Sequence, residues 1–260
     1  MLGAMIGDII GSVYEWNNWK DKRFKLFHPQ CRMTDDSVMT AAVASALLSS
    51  DLTDLEQFKE NLVAEMHRLG KAYPGLGYGP RFEKWLIQGD TKPYGSLANG
   101  SAMRVSPVAW VAETMEECLA LAKASAEVTH DHPDGIAGAQ ALAGAVFLAK
   151  MGERKEVIRD FVENYYPLDF TLDGIREEYQ FDVSCAGSVP QAIVAFLEAT
   201  GYEDAIRNAV SIGGDSDTIA CMAGAVAAAF YGIPKDIREE AGPFIDGEVR
   251  NVLDRFTRLY

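Results

Sequence analysis

Glycine recurs every fourth residue at the start of this chain, at Gly3, Gly7 and Gly11, inside an apolar run. Residues four apart share one face of an α-helix. A helix over 2–14 therefore carries a stripe with no side chains, where a second helix can approach backbone to backbone. Two later segments are as poor in bulk: Ala137-Gly138-Ala139-Gln140-Ala141-Leu142-Ala143-Gly144-Ala145 and Ala223-Gly224-Ala225-Val226-Ala227-Ala228-Ala229. These three helices are expected to cross at the centre of the molecule.

Helical periodicity dominates the rest. It predicts helices over 2–14, 37–50, 54–70, 115–126, 134–150, 153–164, 189–200, 203–210, 218–231 and 246–258. Thr53-Asp54-Leu55-Glu56, Thr114-Met115-Glu116-Glu117 and Ser188-Val189-Pro190-Gln191 read as capping boxes. Gly152, Gly201 and Gly232 read as helix stops, the last followed by Pro234. Alternation of period two is scarce. The expected fold is all-α. With no Pro/Ser-rich linker or charge run to mark a boundary, residues 1–260 are expected to form a single compact domain of packed helices.

Charge narrows the partners. Lys and Arg number 24 against 38 Asp and Glu, a net charge of −14. Such a surface repels nucleic acid backbones and anionic membranes. The cysteines, Cys31, Cys118, Cys185 and Cys221, form no C-x-x-C pair and match neither a zinc site nor a disulfide framework. Cys118 and Cys221 fall in apolar helical patterns, as buried thiols do. A reducing cytoplasm is the simplest home. Asp8 interrupts the N-terminal apolar run, which lacks preceding basic residues and is a poor signal peptide. No stretch approaches the roughly 20 apolar residues of a membrane span.

Two acidic signatures carry the chemistry. Thr34-Asp35-Asp36-Ser37 precedes one small-residue helix, and Asp215-Ser216-Asp217-Thr218 precedes another. Asp, Ser and Thr are ordinary helix caps, and negative charge near a helix N-terminus is favourable. One carboxylate per helix meets that need; each signature holds two. Two readings stay open: paired capping, or a cation shared between the two helix starts. Four carboxylates and two hydroxyls are hard oxygen donors, suited to Mg²⁺ or Mn²⁺ rather than to zinc or copper.

The loops hold the remaining unusual composition. Residues 72–80 read Ala-Tyr-Pro-Gly-Leu-Gly-Tyr-Gly-Pro, and residues 93–107 are rich in Gly, Ser and Asn. Glycine-rich loops expose N–H groups that can cradle phosphate, although neither fits a P-loop or a dinucleotide fingerprint. Residues 129–134 read Thr-His-Asp-His-Pro-Asp, where His132 before Pro133 is by itself only a helix-start residue. Lys20-Asp21-Lys22-Arg23-Phe24-Lys25 is locally basic and follows the break in the first helix near Glu15, a place for a lid or a diphosphate contact.

Taken in order, these motifs resemble the ADP-ribosylglycohydrolases, also called ADP-ribosyl-acceptor hydrolases. The likeness runs nearly end to end. It comprises Gly3-x-x-x-Gly7-Asp8-x-x-Gly11 with Glu15, Thr34-Asp35-Asp36-Ser37, Asn99-Gly100-Ser101-Ala102-Met103-Arg104, Thr129-His130-Asp131-His132-Pro133, and Gly213-Gly214-Asp215-Ser216-Asp217-Thr218. The resemblance implies one all-α domain of orthogonally packed helices with two Mg²⁺ or Mn²⁺ ions in a cleft. Thr34, Asp35 and Asp36 would line one side of the metal pair. Asp215, Asp217 and Thr218 would line the other, with Asp217 bridging. Glu15, with Asp36 second, would be the catalytic carboxylate. Gly75, Gly77, Tyr78 and Gly79 would lie beside the diphosphate. Gly95, Ser96, Leu97, Asn99 and Gly100 would lie beside the distal ribose, and His132 would contact the substrate.

The implied activity is hydrolysis of the glycosidic bond between ADP-ribose and an acceptor, either a modified side chain or a small conjugate. The alternatives are a catalytically silent ADP-ribose-binding or structural relative, and a metal-dependent phosphohydrolase. Two departures bear on the acceptor. Ser96 stands where arginine-type members carry an acidic residue, and Leu97 stands where an aromatic residue is expected.

Overall fold

The computed structural model describes residues 1–260. Fifteen α-helices follow one another: α1 (Leu2–Gly11), α2 (Asp35–Ser49), α3 (Leu55–Ala72), α4 (Pro80–Gln88), α5 (Gly100–Met103), α6 (Ser106–Val111), α7 (Met115–Glu127), α8 (Pro133–Lys150), α9 (Lys155–Val162), α10 (Leu172–Ile175), α11 (Cys185–Leu197), α12 (Tyr202–Val210), α13 (Ser216–Tyr231), α14 (Lys235–Ala241) and α15 (Gly247–Thr257). Short 3-10 turns cover Glu15–Asn17 and Gly242–Phe244. The only extended pairing is an isolated antiparallel bridge between Ala98 and Ser184. The all-α expectation holds, and no helix is long and apolar enough to cross a membrane. All four cysteines are buried and unpaired.

The glycine stripe does what its spacing implies. A Cβ on Gly3 would overlap Ala228 and the Gly224 carbonyl, one on Gly7 the Ala220 carbonyl, and one on Gly11 the Asp217 backbone. As the numbers rise along α1 they fall along α13, so the two helices run antiparallel in backbone contact. Tyr202 seals the far end by donating its hydroxyl to the Gly3 carbonyl at 2.8 Å. Helix α13 is the shared partner of the small-residue helices, packing against α1, α8, α11 and α12. The expected three-way crossing is thus centred on α13, with α1 and α8 each packed on it rather than paired with each other. The buried apolar side chains form one continuous cluster of 80 residues. At about 25 cal/mol per Å² of apolar surface removed from water, that cluster supplies the main stabilising term.

Several boundaries differ from the periodicity, for local reasons. Ser184, not Ser188, caps α11: its hydroxyl accepts from Gly187 N, and Pro190 lies inside the helix. Asp54 rather than Thr53 caps α3. Gly201 is no stop; it is the extended residue ahead of α12. Gly152 and Gly232 do take left-handed φ, at 79° and 74°, after α8 and α13. The helices that periodicity missed are short or begin with proline, as α4 does at Pro80.

The antiparallel α1–α13 contact has one consequence for everything below. It sets the C-terminal end of α1, with Asp8, Gly11 and the following Glu15, beside the N-terminal turn of α13, with Asp215, Asp217 and Thr218.

Candidate metal centre

Asp8 is the residue that builds this centre, and sequence reading gave it no such role. It is fully buried in α1 and its carboxylate faces the start of α2. Oδ1 accepts from the Thr34 hydroxyl at 2.7 Å. Oδ2 accepts from Thr34 N and Ser37 N, both at 3.1 Å, and from the Ser37 hydroxyl. Four donors therefore converge on Asp8, and together they pin residues 34–37 against α1. Burial pushes the Asp8 carboxyl above its usual range, while the Ser37 and Thr34 donors pull it back. The available signal was a lone aspartate inside an apolar glycine-striped helix, where a buried charge demands partners.

Pinned in this way, Thr34 caps α2 and accepts Asp36 N through its hydroxyl at 3.3 Å. Asp36 turns inward. Its Oδ2 accepts from the Thr218 hydroxyl across the gap at 3.2 Å. Its Oδ1 is buried and has no hydrogen-bond partner. From the other side, Asp215 starts α13 without capping it; its Oδ2 instead accepts from Asn99 Nδ2 at 2.7 Å. Asp217 Oδ1 accepts from Thr218 N at 3.0 Å.

Two acidic triads result. Asp8, Asp36 and Asp217 offer oxygens within 4.8 Å of one another, and so do Glu15, Asp215 and Asp217. Asp217 belongs to both. None of these carboxylates takes part in any of the molecule's ion pairs. Burial, then the charges of Asp8, Asp217, Asp35 and Asp215, hold the Asp36 carboxyl well above the usual range. Burial, then Asp215 and Asp8, do the same to Asp217. Burial and then Asp217 raise Glu15 to about 8, and burial raises Asp215 to about 6. Paired capping does not account for the whole arrangement, because Asp36 and Asp215 spend no oxygen on their own helix starts and Asp217 spends only Oδ1, on Thr218 N. An unneutralised set of buried oxygens with one orphaned carboxylate oxygen fits a hard divalent cation.

The remaining site candidates fall at graded distances. Asp35 is half-buried and outside both triads; a Cβ on Gly77 would stand 3.2 Å from its Oδ1, and its N–H donates to Leu76 O. The Gly75–Gly79 loop thus abuts the centre at Asp35. Gly75 and Gly77 have φ of 73° and 101°, values that favour glycine. Tyr78 is buried, and its hydroxyl donates to Tyr73 O, so it ties the loop together. On the other side, Asn99 connects directly to Asp215, and its N–H donates to Val183 O at 2.7 Å. Gly95 N donates to Asp131 Oδ1, and the Ser96 hydroxyl accepts from Ala98 N, so both serve the loop itself. Leu97 projects outward.

His132 caps α8, its Nδ1 accepting from Asp134 N at 3.2 Å. It is His130 that lies buried under Gly100, bonded through Nδ1 to the Thr129 hydroxyl. Arg104 is buried with no carboxylate partner. It donates to Ser125 O and to Thr129 Oγ1, and the Thr129 carbonyl in turn accepts Tyr94 N and Ser96 N. Burial pushes the Arg104 guanidinium down to about 10. Neither His130 nor Arg104 was singled out as a site residue, since their neighbours lie 21–25 positions away or across a loop.

The basic stretch after Glu15 is not a free lid. Lys20 donates to Tyr179 O and Ile212 O, Lys22 pairs with Asp204, and Arg23 pairs with Asp21. Lys20 and Lys22 anchor the segment to the rest of the molecule, whereas Arg23 pairs only within the segment.

Known proteins give this centre a context. ADP-ribosylhydrolase ARH3 of Homo sapiens is 28% identical over 313 aligned residues, covering 90% of this chain and 84% of the relative. The Xenopus tropicalis ADP-ribosylhydrolase ARH3 is 26% identical, covering 95% and 91%. ADP-ribosylarginine hydrolase Tri1 of Pseudomonas putida is 25% identical, covering 90% and 70%. A solved structure titled ADP-ribosylglycohydrolase-related protein complex shares the fold at a TM-score of 0.71, with 24% identity over 98% of this chain and 95% of its own. The family model for ADP-ribosylglycohydrolase matches residues 1–260, the whole span that brings the two helix starts together, and the chain belongs to that family.

Proposed function

We propose that this protein is a divalent-metal-dependent hydrolase that cleaves the glycosidic bond between ADP-ribose and an acceptor, releasing ADP-ribose. The observation that carries the reading is the orphaned, buried Asp36 Oδ1, on a residue clustered with Asp8 and Asp217, carboxylates that take part in no ion pair. In this reading Thr34, Asp35, Asp36, Asp215, Asp217 and Thr218 hold two Mg²⁺ or Mn²⁺ ions, with Asp217 shared. Bound there, the ions would orient ribose hydroxyls and lower the pKa of a water.

The chain's own groups do the rest. Asp8 fixes the 34–37 turn, and Asn99 fixes Asp215. Glu15, at the edge of the centre and half-buried, takes a proton from the attacking water at its carboxylate. The water oxygen bonds to the anomeric carbon as the acceptor bond breaks through an oxocarbenium-like transition state. The proton then passes from Glu15 to the leaving atom. Asp36 is the second candidate for this role. The Gly75–Gly79 loop, at Asp35, receives the diphosphate. The Gly95–Gly100 loop, at Asp215, receives the distal ribose, with His132 at its margin.

One panel tests the reading: arginine-, serine-, poly- and O-acetyl-linked ADP-ribose, each with Mg²⁺ or Mn²⁺, followed by mass spectrometry. Release of intact ADP-ribose from at least one conjugate, abolished by a chelator, is expected. AMP or phosphate release without ADP-ribose would make the protein a phosphohydrolase. Tight ADP-ribose binding with no turnover on any conjugate would make it a silent binder.

A further inference from the structure

Eight large apolar side chains remain exposed on this molecule, and four of them gather in one place. They are Trp16 (76% exposed), Leu97 (43%), Phe181 (43%) and Val183 (51%). They come from three segments far apart in sequence, and each segment is bonded to the acidic centre or next to it. Trp16 follows Glu15 in the same 3-10 turn. Phe181 stacks on Trp16 with ring centroids 5.3 Å apart and planes 18° from parallel. The Val183 carbonyl accepts from Asn99 N, whose side chain holds Asp215. Leu97 lies across the Ala98–Ser184 bridge, its carbonyl accepting from Cys185 N at 3.1 Å.

This rim is built rather than loose. Lys20 ties Tyr179 to Ile212 through their carbonyls, and Asn18 Oδ1 accepts from Gly214 N. The Tyr179 hydroxyl donates to Gly187 O, and Asp182 Oδ1 accepts from Ser184 N. A packed, exposed aromatic stack beside the acidic centre is the composition of a docking site rather than of ordinary surface. The same segment also exposes Glu177, Glu178 and Asp182, none of them ion-paired.

We propose that this rim docks the polypeptide that carries the ADP-ribose: an extended segment with an apolar anchor against Trp16 and Phe181 and basic side chains toward Glu177, Glu178 and Asp182. The inference rests on the proposed hydrolase reading. Position chooses the acceptor over the nucleotide. The bond to be cleaved lies at Glu15 and the shared carboxylates, and the diphosphate is assigned to the Gly75–Gly79 loop on the Asp35 side. The rim instead adjoins the centre at Glu15 and, through Asn99, at Asp215, beside the bond to be cleaved, where the leaving group must emerge. Chemistry makes the same choice, because an apolar stack flanked by free carboxylates repels phosphate and suits an apolar, basic peptide.

The test uses the metal-loaded full chain and two conjugates of one linkage, an ADP-ribosylated amino acid and an ADP-ribosylated peptide with apolar and basic flanks. Phe181→Ser combined with Val183→Ser changes exposed side chains and leaves the Val183 carbonyl in place. The pair of substitutions is expected to raise KM for the peptide about tenfold, the loss typical of an interface anchor. The kcat, the kinetics on the amino-acid conjugate and the affinity for ADP-ribose should be unchanged. Replacing the peptide's basic residues by glutamate should raise KM on the unsubstituted protein as well. Equal losses on both conjugates and on ADP-ribose would make the rim a nucleotide seat and overturn the proposal. Unchanged kinetics on both would overturn it too. The linkage used is one that the four-conjugate panel shows to be cleaved; if the panel shows none, the hydrolase reading itself fails and this inference falls with it.

Discussion

Asp8 and Asp36 are both buried in the same cluster, and what distinguishes them is what each oxygen has left to do. Asp8 meets four donors from residues 34 and 37 and has no unmet need. Asp36 Oδ1 meets none. The first therefore holds the centre together, and the second keeps an oxygen free to ligate. Glu15 differs again: it is half-exposed, on a short turn, and close to Asp215 and Asp217. Glu15→Gln keeps its shape and removes its ionisable group. It should leave ADP-ribose affinity nearly intact while turnover falls about 10²–10⁴-fold, the usual share of a general base. Calorimetry and kinetics on the one variant decide this. Joint loss of binding and turnover would make Glu15 a binding residue, and unchanged turnover would move the base to Asp36.

At the scale of elements, the α1–α13 contact positions the site, and its cause lies in three glycines. Gly11 touches the turn of α13 that carries Asp217, whereas Gly3 touches the other end at Gly224 and Ala228. Gly11→Ala and Gly3→Ala should each destabilise by about 1–3 kcal/mol through overpacking. Only Gly11→Ala should also weaken Mn²⁺ binding, because it moves the carboxylates; paired thermal melts and Mn²⁺ titrations separate the two. Equal effects on cation affinity would mean that the contact does not set the site. The long helices were legible in the chain because their apolar period is strong, and so were both acidic signatures. Asp8 was not, because its partners lie 26 and 29 residues away and nothing local announces them. Ser184 lost to Ser188 as a cap because Ser188-Val189-Pro190-Gln191 matches the capping-box spacing. Helices α4 and α6 begin with or just before a proline in loops rich in glycine, so local turn chemistry concealed them. In the Lys20–Lys25 stretch composition showed the cations but not the carbonyls and the carboxylate that hold Lys20 and Lys22.

For the whole molecule, the acidic centre is a store of unfavourable charge until something neutralises it. Without metal, Asp215 is raised to about 6 and Glu15 to about 8, and Asp35, Asp36 and Asp217 are raised as well. An acid whose folded pKa exceeds its unfolded value favours folding below the unfolded pKa and loses that contribution as pH climbs through the folded one. Chelator-treated protein should therefore lose thermal stability from about pH 5 to about pH 8, and excess Mg²⁺ should flatten or reverse the slope. A metal-free protein that gains stability across that window would show that the carboxylates are neutralised by something else. The antiparallel helix pair, the Asp8 anchor and the orphaned Asp36 oxygen support the proposal that two hard divalent ions bind between residues 34–36 and 215–218. Anomalous diffraction at the manganese edge, from a crystal soaked in Mn²⁺, measures this directly. The account predicts two peaks within reach of Asp36 and Asp217. No peak there, or a metal held instead by cysteine sulfur, would contradict it.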